Sequence, residues 1–380
     1  MRTALVITGN LYYRPLFYTD TGHWSIMLRR SFLQCTGGAA LAASSSQAPR
    51  NRLGLDTYSV RSHRWKAVKL LDYAAGLKLT TVQISSLGEY ESLEPEHLRK
   101  VKEHADRLGI LIDAGIGSIC PTSASWNPKE GSPAESIARG LRVAKAVGAN
   151  AMRCFLGSAA ERRGQLPIEA HMEATIKVFR SVRSQVLDSG IKLALENHNG
   201  DLEAGEVKTI IEESGRDFVG VCLDTGNPLW LLEDPLFTLE TLAPYVATSH
   251  IRDSVVYEHP RGAAFQWVAL GDGSIDFKQF VERFRQLCPG VPMQMEIITG
   301  RPPTVLPFLE ADFWKAFPKK KAADFAGFLK LVRNGHPFMG SMMIAGSGKQ
   351  PPEYDAALKQ QQLVDVERSV QYARGTLGVS

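Results

Sequence analysis

Eight short apolar runs of strand length follow one another along one continuous stretch, and a longer segment with helical spacing lies between successive runs. The runs are Leu53–Tyr58, Thr81–Ile84, Leu111–Ile116, Ala151–Leu156, Lys192–Glu196, Gly220–Asp224, Ala247–Ile251 and Met293–Ile297. Most are β-branched or aliphatic and bounded by glycine or polar residues, the pattern of strands. Trp65–Gly76, Pro95–Leu108, Ser132–Val147, Ile168–Leu187, Glu203–Glu213, Pro235–Tyr245 and Phe277–Leu287 read as helices. Ser132-Pro133 is a capping residue followed by a first-turn proline. Gly76, Gly109, Gly148, Gly190 and Gly215 stand where left-handed helix ends are expected. Such alternation requires parallel strands joined by crossover helices. Leu53 through Ile297 is 245 residues, and a (β/α)₈ barrel takes about 250. An open doubly wound sheet is the alternative, weakened because no G-x-G-x-x-G follows the first run.

The predicted fold is therefore α/β, a (β/α)₈ barrel over residues 49–334, with a helix near Ala322–Arg333 as candidate for the eighth barrel helix. Residues 335–380 form an extension. A loop bearing Gly, Ser and Pro precedes an amphipathic helix of about Asp355–Arg374, which packs on the barrel or on a second copy of the chain. A homo-oligomer is one expectation from that helix.

Residues 1–48 read as an N-terminal extension and export signal. Leu28–Gln34 is L-R-R-S-F-L-Q, followed by a mild apolar run, Cys35–Ala43, and a small polar stretch. Paired arginines before a short hydrophobic region and small residues resemble a twin-arginine signal. The natural start is placed at Met27 and cleavage near Ala48. The expected location is the periplasm or another exported compartment, or the cytoplasm should the Arg29-Arg30 pair be a chance occurrence. No segment is apolar for long enough to cross a bilayer.

With 44% hydrophobic residues and a net charge of +4, the chain has material for a large core and no basic stripe interleaved with aromatics, so nucleic acid is not an expected partner. Lys319-Lys320-Lys321 is expected on a solvated surface. The five cysteines contain no C-x-x-C pair, so neither a zinc-cysteine site nor a disulfide framework is expected.

In a barrel of this kind the C-terminal strand ends carry the chemistry. The fifth run ends L-A-L-E-N-H-N-G, the sixth V-C-L-D-T-G-N-P, the seventh T-S-H-I-R-D-S and the eighth M-Q-M-E-I-I-T-G. Four consecutive strands thus place Glu196, Asp224, His250 and Glu296 at one level. Each follows a run that would otherwise be core, where an uncompensated charge is expensive. Three carboxylates and an imidazole suit one hard or borderline divalent ion: Mn²⁺, Mg²⁺, Co²⁺ or Zn²⁺. Three carboxylates also exceed the charge of that ion, leaving one free to exchange a proton.

These motifs, E-N-H, D-T-G-N, H-I-R-D and M-E-I in that order, resemble the sugar phosphate isomerase/epimerase family with the xylose-isomerase-like barrel, which includes ketose 3-epimerases and hydroxypyruvate isomerases. The resemblance runs from about Arg52 to Gly300. It implies that Glu196, Asp224, His250 and Glu296 bind one divalent metal, commonly Mn²⁺, and that Glu196 and Glu296 are the catalytic acid and base. The sequence departs from the pattern at Asn227, where ketose epimerases often have His, and at Arg252, where many members have Lys.

The site implies a metal-dependent isomerase or epimerase of a keto-sugar, working by proton transfer through an enediolate. The competing readings are a metal-dependent lyase acting on an oxidised glycoside, a non-catalytic carbohydrate-binding barrel, and a relative of the endonuclease that cuts at abasic sites. The last calls for a richer histidine cluster. A small carbohydrate is the expected partner. Candidate substrate contacts are His198 and Arg252, which share inward faces with Glu196 and His250, together with Asn227, Arg153 and Trp126. His198 could instead brace Glu196, Arg252 could pair with a ligand carboxylate, Arg153 could face either way, and Trp126 could be packing. Gly271-Asp272-Gly273 reads as a turn leading to the helix Phe277–Leu287, with a phosphate cradle as the alternative.

Overall fold

The computed structural model describes residues 51–380 apart from 347 and 349; the extension and export signal assigned to residues 1–48 lie outside the described residues. The strands are Leu53–Asp56 (β1), Thr81–Ile84 (β2), Leu111–Ser118 (β3), Ala151–Phe155 (β4), Lys192–Glu196 (β5), Val219–Asp224 (β6), Val246–Ile251 (β7), Asp253–His259 (β8), Gly262–Val268 (β9), Met293–Met295 (β10) and Thr304–Leu306 (β11). β1 to β7 and β10 close into an eight-stranded parallel barrel in sequence order. The helices are Ala67–Gly76 (α1), Pro95–Leu108 (α2), Pro133–Ala146 (α3), Ile168–Ser189 (α4), Ala204–Ser214 (α5), Pro235–Leu242 (α6), Phe277–Leu287 (α7), Ala322–Asn334 (α8) and Pro352–Gly375 (α9). Alternation of strand and helix produces the (β/α)₈ fold predicted above.

Strand side chains alternate between two faces. Leu53 and Leu55, Val82 and Ile84, and Leu193 and Leu195 are buried within the main apolar cluster, and each such side chain contributes roughly 1.5–3 kcal/mol. The alternate positions meet inside the barrel and are small or polar. Gln294 Nε2 donates to Thr81 Oγ1 at 2.8 Å, and Thr248 Oγ1 donates to Asp113 Oδ2 at 2.8 Å. A Cβ at Gly54 would lie 2.1 Å from Gln294 Oε1, so glycine there is what admits the glutamine. The interior is a hydrogen-bonded polar column beneath the strand ends.

Burial lifts the Asp113 carboxyl to about 6, against hydrogen bonds from Thr248 and Gln294 that favour its charge. The folded protein therefore holds this proton more tightly than the unfolded chain, where an aspartate titrates near 3.9. Its stabilising contribution is complete below about pH 4 and is lost as the pH rises through 6. Asp113→Asn is expected to remove about 3 kcal/mol of that pH dependence, read from denaturation midpoints between pH 4 and 7. An unchanged slope would contradict it.

Four features depart from the sequence reading. After β7 the chain does not enter a helix but forms the β8–β9 hairpin about Pro260-Arg261, which pairs antiparallel with β11. α8 is not the eighth barrel helix. It packs Phe328 and Val332 into a second apolar cluster with Val256, Phe265 and Leu306. α9 instead places Val366, Val370 and Ala373 in the main cluster, and its end is tied to both neighbours. Arg374 Nη2 donates to the Leu77 carbonyl after α1 at 2.8 Å, and Arg285 of α7 donates to the Gly378 carbonyl at 2.6 Å. That is the place an eighth barrel helix occupies, between α7 and α1. Lys320 is not solvated: its Nζ lies 2.9 Å from Glu203 and 3.7 Å from Glu233, with a nearly buried side chain. Gly76 is the last residue of α1, and Lys78, at φ 55°, makes the left-handed turn instead.

The four cysteines among the described residues are free and buried. No described helix is long and apolar enough to cross a membrane.

Candidate metal centre

Parallel pairing puts the strand ends in step. Asp224 of β6 pairs with His250 of β7, and His250 with Gln294 of β10, so two residues further, on the same face, Glu296 reaches the same rim. Glu196 pairs with Cys222 on β6. The outcome is that Glu196, Asp224, His250 and Glu296 each offer one ligand atom, all within 4.8 Å of one another, and all four residues are buried. His250 Nδ1 faces Glu196 Oε1 at 3.4 Å, Glu296 Oε2 at 3.6 Å and Asp224 Oδ2 at 3.8 Å.

Local structure holds each group. The Asn197 side chain donates to the Asp224 carbonyl and accepts from the Asp224 N–H, both at 2.9 Å, which locks the ends of β5 and β6 together. Asp224 Oδ1 accepts from the N–H groups of Gly226 and Asn227 at 2.7 Å. A Cβ on Gly226 would sit 2.7 Å from Arg252 Nε, so the glycine of D-T-G-N makes room for that guanidinium. Behind His250, Gln83 Nε2 touches the ring Nε2 and Asp56 Oδ2 lies 3.4 Å from it. An ion on Nδ1 requires the proton on Nε2, and Asp56 is the acceptor placed for it.

Two arginines enter between the carboxylates. Arg153 faces inward and pairs with Glu196 Oε2 through Nε and Nη2. Arg252 lies 2.7 Å from Asp224 Oδ2 and 3.1 Å from Glu296 Oε2. These are ion-pair distances, yet neither of those oxygens accepts a hydrogen bond, and His250 Nδ1 also has no partner. Buried polar atoms are rarely left so, and here three of them face one small volume. Asp56, Glu196, Asp224 and Glu296 are four carboxylates against two guanidinium groups, so two negative charges remain with a neutral imidazole. One divalent cation cancels them. The donor set therefore fits such an ion, and its identity stays open among the four considered.

Burial and ion pairing act differently on each of these groups. Burial opposes ionisation of Glu196, but Arg153 and His250 hold its carboxyl well below the usual range. Burial pushes Glu296 up to about 7 despite Arg252 and His250, and Asp224 is also raised, first by burial. Burial works against a charged His250 as well, yet its proton is held well above the ordinary value by Cys222, Glu296, Glu196 and Asp56. Of these the carboxylates matter, because the buried Cys222 thiol is itself pushed up to about 12 and stays neutral.

A cavity of about 680 Å³ opens over the centre. His198, Asn227, Arg153 and Arg252 line it. Three of them also brace the carboxylates, since Asn227 Nδ2 donates to Glu196 Oε1 at 3.2 Å. His198 does not brace Glu196 directly. Its Nδ1–H donates to the Gly157 carbonyl at 2.6 Å and burial lowers it to about 4, which leaves Nε2 of a neutral ring as an acceptor. Trp126 is not brought to the cavity. Its loop is pinned away by Ser123 and Ala124, which donate to Glu161 at 2.7 and 2.9 Å. The aromatic lining comes instead from Tyr58, Phe155, Trp230, Phe265 and Trp267. Asp56 closes β1 at the level of the other carboxylates; the first apolar run extends in sequence to Tyr58, two residues beyond it, which hides this strand end. Gly271-Asp272-Gly273 is a turn whose N–H groups at 271 and 273 already bond Asp253, at 3.0 and 3.1 Å, so it cradles no phosphate.

The model of a xylose isomerase-like TIM barrel matches residues 71–317. The chain belongs to that family. YihM of Escherichia coli (strain K12) is 28% identical over 224 residues, 58% of this chain and 63% of that protein, so the match spans less than two thirds of its length. The 3-oxo-isoapionate decarboxylase of Pectobacterium atrosepticum is 23% identical over 61% of this chain and 80% of its own. A crystal structure of D-psicose 3-epimerase in the presence of D-fructose superimposes with a TM-score of 0.56 at 15% identity, covering 86% of this chain and 99% of that one, a likeness of fold.

Proposed function

We propose that the protein is a divalent-metal-dependent isomerase or epimerase of a keto-sugar, with manganese as the working ion. The observation that carries this is the convergence of Glu196, Asp224, His250 and Glu296 on one buried point at the floor of the cavity. A bound divalent ion would supply Lewis-acid polarisation of a sugar carbonyl, which acidifies the neighbouring C–H. Asp224 and His250 would hold the ion, and Glu196 and Glu296 would hold it and also serve as acid and base. Glu296 and Glu196 are the carboxylates placed to remove and return the proton at the carbon beside the carbonyl. Arg153 and Arg252 keep the carboxylates oriented. His198 Nε2 is the acceptor for a sugar hydroxyl, and Asn227 Nδ2 steadies Glu196 beside it.

Metal-loaded protein in deuterium oxide is expected to wash solvent deuterium into the carbon beside the carbonyl of a ketohexose, followed by mass spectrometry. No exchange with any ketose, in protein that demonstrably carries its ion, would sink the reading. One relative favours a second reading, since the decarboxylase named above breaks a bond beside a ketone. Elimination from an oxidised glycoside would show as release of a leaving group matching the substrate consumed. Exchange of either kind excludes a non-catalytic barrel.

Export belongs to the same proposal, supported by Arg29-Arg30 ahead of the apolar run. A reporter fused after residue 50 is expected to reach the periplasm, and Arg29→Lys with Arg30→Lys is expected to hold it in the cytoplasm. Equal export of both fusions would refute the signal.

A further inference from the structure

Beyond the metal centre the cavity acquires an aromatic wall. Trp230, Phe265 and Trp267 meet with ring centroids 5.3, 6.1 and 6.4 Å apart. Trp230 stands in the turn after β6, and the other two stand on β9, in the hairpin inserted between β7 and α7. The hairpin lies outside the closed barrel; what it adds is this wall. Its backing is firm, because Leu229, Phe313 and Phe328 pack behind it in the second apolar cluster.

The wall begins where the carboxylates end. Arg252, paired with Asp224 and Glu296, lies 4.4 Å from the Trp267 ring centroid. On the other side Arg153, paired with Glu196, lies 4.7 Å from the Phe155 centroid, and Phe155 stacks on His198 at 4.0 Å. A ligand reacting at the carboxylates therefore comes upon an aromatic face one guanidinium away. The indole N–H groups of Trp230 and Trp267 are buried and neither has a hydrogen-bond partner. Both side chains line the cavity. Those N–H groups are shielded from the cavity, so what this wall offers a ligand is ring surface. A volume of about 680 Å³ is in the range that encloses drug-sized ligands, roomier than one monosaccharide requires.

We propose that Trp230, Phe265 and Trp267 form a second-ring subsite, so that the substrate is a glycoside: a sugar at the carboxylates joined to a further ring. The aromatic faces take the flat face of that ring. The placing of the sugar rests on the functional reading above; the ring preference does not.

Calorimetric titration of EDTA-treated and Mn²⁺-loaded protein tests it, with D-glucose and methyl β-D-glucopyranoside as one-ring probes and cellobiose and phenyl β-D-glucopyranoside as two-ring probes. At least one two-ring probe is expected to bind about tenfold tighter than either one-ring probe, and which one does so tells a glycosyl from a phenolic second ring. Trp230→Ala and Trp267→Ala are expected to erase that advantage with an unchanged circular dichroism spectrum. Trp267→Phe keeps an aromatic face of smaller area and is expected to lose part of it, and this variant decides should an alanine variant fail to fold. Two-ring probes that bind no tighter than one-ring probes, or that keep their advantage in the variants, overturn the subsite. Failure to take up Mn²⁺ would count against the functional reading alone, because the EDTA-treated arm still reports ring preference.

Discussion

Stripping the divalent ion with a chelator, or replacing His250 with alanine, is expected to abolish solvent proton exchange and to lower the melting temperature of the protein. The reason lies in the charge balance at the barrel mouth. Four buried carboxylates face two guanidinium groups, and His250 Nδ1, Asp224 Oδ2 and Glu296 Oε2 have no hydrogen-bond partner. Burial lifts the Glu296 carboxyl to about 7, and Glu296, Glu196 and Asp56 hold a proton on His250; a bound divalent ion would displace such protons. An ion present at about a thousand times its dissociation constant stabilises the folded state by about 4 kcal/mol. Adding Mn²⁺ to chelated wild-type protein should therefore raise its melting temperature by several degrees, and should raise that of His250→Ala far less. A wild-type protein whose melting temperature ignores every divalent ion would show that the charge balance had been read wrongly.

Glu296→Gln and Glu196→Gln are expected to fail in different ways. The first keeps the volume at position 296 and leaves Arg252 paired with Asp224, so the fold should survive. Turnover should fall on the order of 10²–10⁴-fold, as when a general acid or base is lost. The second removes the one carboxylate that pairs with Arg153 among the described residues. Breaking a buried pair by removing one partner costs roughly 3–5 kcal/mol, so Glu196→Gln should lose stability as well as turnover. Deuterium exchange and thermal melts on the two variants separate the cases. Full activity in both would end the two-glutamate mechanism.

How much of this was legible beforehand depended on the range of the interaction concerned. The strand runs and the helices between them could be read because period-two and helical patterns are local, and the observed bounds of β2, β5, α2 and α7 coincide with the runs read from the sequence. The β8–β9 hairpin carried a local signal too, an alternating segment about Pro260-Arg261, but it is obscured where the surrounding order calls for a helix. The place of α9 carried none. Both α8 and α9 are helical, and what chooses between them is which apolar side chains fit the gap between α7 and α1. Val366, Val370 and Ala373 fill it, whereas Phe328 matches the aromatic underside of the hairpin.

The same division runs through the site. The sequence by itself determined that Glu196, Asp224, His250 and Glu296 share a rim, because each closes a parallel strand and strand ends in a barrel stand level. From that count alone one carboxylate seemed surplus to a divalent ion. Only the tertiary structure decided that Asp56 adds a fourth carboxylate, that Arg153 and Arg252 turn inward to offset two of them, and that the aromatic surface comes from Trp230 and Trp267 and not Trp126. Level is a property of one strand's periodicity, whereas charge compensation and cavity lining depend on which side chains converge from distant strands and loops, and that is settled through space.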